Sequence, residues 1–175
     1  MLVYLTSANA DISARWTRHE KVPAIERKFI TIGRGDNLEQ ITRTLVDTVQ
    51  TADTIWLLIV CAHGDAGVME LSDSVMLNPE TAKRLAALSS YFNKKGEGIE
   101  LHGCNMLNDS YGYQTCQSLA RSLGVPVYAA KGQQAIDPIG QFEGIVVRFN
   151  SDPNKIPYEN VTRSFKSRGL IGVWH

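Results

Sequence analysis

Apolar residues gather in short runs at Leu2 to Leu5, Phe29 to Ile32, Ile55 to Ala62, Ile99 to Cys104, Val125 to Ala129 and Ile145 to Phe149. Such runs, rich in branched side chains and separated by polar stretches, predict buried β-strands. The longest, Ile55-Trp56-Leu57-Leu58-Ile59-Val60-Cys61-Ala62, carries no polar alternation. That is the pattern of a strand covered on both faces of a parallel sheet, and it puts this strand at the centre.

The stretches between the runs have helical period. Leu38, Ile41, Leu45 and Val49 recur at helical spacing behind Asp36, with Glu39 as its capping-box partner, and predict a helix over about 37–50. Asn78-Pro79 opens a second helix, carrying Leu85, Leu88 and Phe92. Ser110 opens a third, which turns Tyr113, Cys116, Leu119, Ala120 and Leu123 inward and is stopped by Gly124 and Pro126. Gly67 to Leu71 and Ser74 to Leu77, joined by Ser72-Asp73, predict a small hairpin inserted just after His63. Strands alternating with helices imply right-handed crossovers. The expected fold is therefore a three-layer α/β sandwich around a mostly parallel sheet of about six strands. With no repeat, linker or low-complexity tract, residues 1–175 read as one domain.

Composition narrows the function classes. A chain of 175 residues is long enough to bury roughly 70% of its unfolded surface, so neither a disulfide nor a metal is needed to hold it. Basic and acidic residues balance, 18 against 18, and no like-charge run offers a nucleic acid or a membrane surface a footing. Met1 to Ser7 lacks a basic leader, and no stretch approaches the ~20 apolar residues of a membrane span. The expected compartment is the cytosol, a reading compatible with leaderless export as an effector. Three cysteines cannot pair completely, and no cofactor motif is present. The absence of a phosphate loop argues against a flavodoxin-like nucleotide binder.

The candidate chemistry sits where two strands run out. Val60-Cys61-Ala62-His63-Gly64 ends in an imidazole, and Leu101-His102-Gly103-Cys104-Asn105 ends in a thiol. Carboxyl ends of strands in an open α/β sheet are where ligands bind, so His63 and Cys104 are expected to meet there. A cysteine attacks as its thiolate, and a histidine within reach supplies the base. Gly64 N–H and Cys104 N–H are the expected donors to an oxyanion. His102, two residues before Cys104, shares its strand face and is a candidate pocket residue. Cys61 and Cys116 read as buried core residues. Cys61-x-His63 and His102-x-Cys104 also offer four residues of the types zinc prefers. Their spacing is not a standard one, however, and Cys61 would have to leave an apolar strand, so no metal is expected. Gly33-Arg34-Gly35-Asp36 contains an adhesion-like tripeptide, but a glycine-flanked turn before a helix accounts for it.

Leu57 to Gly64 resembles the apolar strand ending in His-Gly of the caspase-like cysteine peptidases, the clan of caspases, metacaspases, clostripain, gingipains, separase and the CHAT proteases. Ile99 to Cys104 resembles that clan's next strand, ending in the nucleophile. Leu101 to Asn105, with Tyr111-Gly112-Tyr113 and Leu119 to Ala130, is more closely similar to an uncharacterised caspase-like family found in large bacterial surface proteins. The resemblance spans about residues 55–130 and implies peptide-bond hydrolysis. It makes His63 the general base and acid, Cys104 the nucleophile, and Gly64 with Cys104 the oxyanion hole, with a protein or peptide as substrate. Where caspases carry a pocket-lining glutamine two residues before the nucleophile, this chain has His102, and Asn105 follows Cys104. Preference for aspartate is therefore not implied. Asp11, Asp109 and Asp137 are candidate acidic residues for a pocket that selects a basic side chain. A non-catalytic binding module that keeps the same fold is the alternative reading.

Overall fold

The six apolar runs become the six strands of one sheet. The computed structural model describes residues 1–8, 26–49, 54–134, 142–159 and 161. In chain order its elements are β1 (Leu2–Ser7), β2 (Arg27–Ile32), α1 (Leu38–Val49), β3 (Leu57–Cys61), β4 (His63–Asp65), β5 (Val68–Ser72), β6 (Val75–Leu77), α2 (Pro79–Arg84), β7 (Gly98–His102), α3 (Ser110–Leu123), β8 (Val127–Ala130) and β9 (Val146–Phe149), with a 3-10 turn (Leu85–Tyr91) continuing α2. The main sheet runs β2-β1-β3-β7-β8-β9. Every neighbouring pair is parallel except β8 and β9. The longest apolar run is central, as its lack of alternation predicts: β3 lies between β1 and β7.

Alternate residues along each strand divide between two faces. Val3, Leu5, Leu58, Val60, Ile99, Leu101, Val127, Ala129, Val147 and Phe149 share one cluster with the helical positions Ile41, Leu45, Leu88, Leu119 and Leu123. Each fully buried aliphatic side chain there contributes about 2 kcal/mol. The opposite face carries Leu2, Tyr4, Leu57, Ile59 and Cys61 in one cluster and Tyr128, Ala130 and Val146 in another. All the described helices pack on the first face. The described residues therefore supply two of the three expected layers, and no helix over the second face is among them. No described helix is long and apolar enough to cross a membrane.

The expected hairpin forms, but with a third strand. β4, which begins at His63, pairs antiparallel with β5, and β5 with β6. His63 is thus the first residue of a second sheet as well as the end of the first run. Met69, Leu71, Val75 and Leu77 from this small sheet join the main core, which fixes it over the carboxyl ends of the large one.

The start of α1 differs from the sequence expectation by one residue. Asn37 Oδ1 accepts from Gln40 N–H at 3.0 Å and Gln40 Oε1 accepts from Asn37 N–H at 2.8 Å, so Asn37 and Gln40 form the capping box in place of Asp36 and Glu39. The reason is local: the Asp36 carboxylate turns back to accept the Gly33 N–H at 2.7 Å, closing the glycine-flanked turn. The other two helices begin as read. Asn78 caps α2 with Pro79 in its first turn, Asp109 caps α3 by accepting the Gly112 N–H, and Gly124 ends α3 in the left-handed conformation at φ 68°.

Candidate active site

β3 and β7 are parallel neighbours, with Cys61 opposite His102. His63 lies two residues beyond the first of these and Cys104 two residues beyond the second, so equal register carries both residues to the carboxyl ends of adjacent strands. The contact between the two chain ends is close. A Cβ added to Gly64 would lie 2.6 Å from the Cys104 carbonyl oxygen and 2.9 Å from the Cys104 nitrogen. Only glycine lets the His63 strand approach the Cys104 backbone so nearly.

A second clamp holds the same two elements further along. Gly67, at φ 82°, abuts the Gly112 nitrogen at the start of α3. The Thr115 hydroxyl, fully buried, donates to the Gly67 carbonyl at 3.0 Å. The small sheet that carries His63 is therefore fastened to the helix that follows Cys104.

Between β7 and α3 the chain makes a tight turn. Asn105 has φ 56°, a left-handed conformation that asparagine tolerates better than most residues. Its Oδ1 accepts from Asn108 Nδ2 at 3.0 Å and its N–H donates to the Gly132 carbonyl at 2.7 Å. Met106 and Leu107 are buried in the core below. These interactions make Asn105 the residue that shapes the turn after Cys104.

Of the three cysteines, Cys61 and Cys116 are buried and Cys104 is half-buried. Burial pushes the Cys116 thiol well above its ordinary range. Cys61 is raised as well, chiefly by burial and also by the nearby Glu100 carboxylate. The Cys104 sulfur meets the backbone of Gln134: it accepts the Gln134 N–H at 3.5 Å and its thiol donates to the Gln134 carbonyl at 3.6 Å.

His102 is buried. Its Nε2 lies 3.0 Å from Glu100 Oε2, and its ring stacks on Phe142 with centroids 4.1 Å apart. Both His102 and Glu100 project to the sheet face opposite the described helices, since Ile99 and Leu101 occupy the other. Sequence reasoning alone singles out neither Glu100 nor Gln134. The alternation Ile99-Glu100-Leu101-His102 carries a signal for the first, two polar residues on one strand face, whereas nothing local marks the second. Asp109 is the cap of α3, and Asp11 and Asp137 lie outside the described residues. The four zinc-type residues do not converge. Cys61 packs among Leu2, Tyr4, Leu57 and Ile59, and no group of three His, Cys, Asp or Glu among the described residues could hold a metal.

No curated protein and no solved structure matches the chain. A family model covers residues 34–143, a span that contains His63, Gly64, His102, Cys104, Asn105 and Gln134. That family is described as a domain of unknown function (DUF8616), and the chain belongs to it.

Proposed function

We propose that the chain is a cysteine endopeptidase of caspase-like fold, acting through a His63 and Cys104 dyad. The observation that carries this reading is the approach of Gly64 to the Cys104 peptide unit, which sets an imidazole-bearing strand against the one accessible thiol of the chain. A mostly parallel six-stranded sheet, with a small antiparallel sheet directly after the His strand, is also what the caspase-like resemblance implies.

In this reading His63 removes the Cys104 thiol proton and the sulfur attacks the carbonyl carbon of a peptide bond. Gly64 N–H and Cys104 N–H donate to the oxyanion that forms. His63 returns the proton to the departing amine, and water, deprotonated by the same imidazole, releases the acyl group from sulfur. His102 and Asn105 flank the nucleophile, and Asp11 is the acidic candidate for side-chain selection.

Incubation with a diverse peptide pool tests the reading. Cys104→Ala is expected to abolish cleavage and labelling by a thiol-directed electrophile, and His63→Ala to lower kcat/KM by about 10²–10⁴-fold with the fold intact. Undiminished cleavage by Cys104→Ala overturns it. One observation favours the second reading, a binding module that does not turn over: both hydrogen-bonding capacities of the thiol are met by Gln134. Absence of turnover under every condition would support that module.

A further inference from the structure

The contact between Cys104 and Gln134 has a polarity. One sulfur faces a donor N–H at 3.5 Å and an acceptor carbonyl at 3.6 Å, both from the same residue. A neutral thiol satisfies the two at once, accepting from the first and donating to the second. A thiolate satisfies only the first, and its charge then faces the negative end of the carbonyl dipole. The arrangement suits the resting thiol and opposes the attacking anion.

Gln134 is itself held in place. Its side chain is buried, and its amide clasps the backbone of Glu143 at two points: Nε2 donates to the Glu143 carbonyl at 2.9 Å, and Oε1 accepts the Glu143 N–H at 3.0 Å. Nε2 also donates to the Gln133 carbonyl at 3.0 Å. On one side of this clasp, Gly132 binds the nucleophile's turn through Asn105 N–H and Asn108 Oδ1. On the other, Phe142 stacks on His102. The backbone N–H and carbonyl that bracket the sulfur are thus fixed through the side chain of the same residue.

We infer that Gln134 is a positioning residue that latches Cys104 as the resting thiol, and that its backbone N–H and carbonyl must leave the sulfur before Cys104 acts. A substrate carbonyl carbon has to come within roughly 3–3.5 Å of the sulfur to react. The latch is therefore an autoinhibitory contact released when the Gln134 amide lets go of Glu143. The inference rests on the reading of Cys104 as a nucleophile, but its test does not depend on turnover.

The test is the rate at which iodoacetamide alkylates each cysteine at neutral pH, followed by peptide mass spectrometry on the full chain. Alkylation proceeds as the sulfur displaces iodide, so it reports both access and thiolate. Gln134→Asn is one methylene too short to span to Glu143, and Gln134→Leu keeps the bulk without the amide. Loosening the hold on Glu143 is expected to raise the Cys104 rate about tenfold in both variants, equivalent to about 1.4 kcal/mol. Cys61 and Cys116 stay unlabelled and serve as internal reporters of global unfolding. An unchanged or slower Cys104 rate overturns the latch, and so does labelling of all three cysteines together in both variants. The dyad reading fails separately, if Cys104→Ala still cleaves peptides.

Discussion

At the scale of single residues, the site depends as much on the side chain that is missing as on those present. Gly64 lies so close to the Cys104 backbone that a methyl group has no room. The atoms it would meet are main chain, which cannot swing aside. Gly64→Ala is expected to destabilise by about 1–3 kcal/mol, the usual cost of overpacking, and to separate the His63 strand from Cys104. Gly35→Ala is the control, since a Cβ there meets nothing within 4 Å. Thermal melts of the two variants compare them directly, and equal melting temperatures would remove the claim of close approach. Of the candidate site residues, His63 and Cys104 are the ones the sequence marks, because an imidazole and a thiol coincide there with strand ends. The contact of Gln134 with Cys104 is not marked, because Gln134 is held by a hydrogen bond to Glu143 nine positions away that has no local pattern.

At the scale of elements, local signals placed the starts of α2 and α3 and the end of α3 but not the end of α2, which stops at Arg84, so that Leu85 and Leu88 fall on a 3-10 turn and Phe92 on extended backbone. Pro79 and Asn78 open α2, Asp109 opens α3, and Gly124 closes it. Each feature satisfies or replaces backbone groups that a helix end leaves unpaired, a requirement that depends on only a few neighbouring residues. The capping box of α1 moved from Asp36 and Glu39 to Asn37 and Gln40 because two adjacent pairs fit the same spacing, and the Gly33 turn engaged Asp36. Asp109→Ala is expected to cost about 1 kcal/mol, read as a lowered midpoint in urea. The same variant should loosen the helix that anchors Gly67 through Thr115, so a midpoint equal to that of the parent would show that the cap contributes nothing. The strand β4 escapes a reading by periodicity because three residues, His63 to Asp65, are too few for any period to register.

At the scale of the whole molecule, burial couples stability to pH. Cys61 and Cys116 keep their protons in the folded chain above the ordinary thiol value of 9.0. The unfolded chain releases them there. Above that pH the folded state binds more protons than the unfolded one, so stability falls by up to about 1.4 kcal/mol per pH unit for each thiol, whereas below it neither contributes to the slope. Chemical denaturation of the parent and of Cys116→Ala above pH 9.0 should show a shallower decline in the variant, and parallel slopes would overturn the assignment. What the sequence determined by itself were the six strand runs, the starts of three helices, the stop signal of α3, the hairpin and the two strand ends that carry His63 and Cys104, because periodicity and capping are local properties of the chain. Tertiary structure alone decided that β3 and β7 are neighbours in matched register, that Phe142 stacks on His102, and that Gln134 brackets the Cys104 sulfur. Those contacts join residues brought together by sheet order and loop closure, and the register that aligns them is set by packing across the whole sheet.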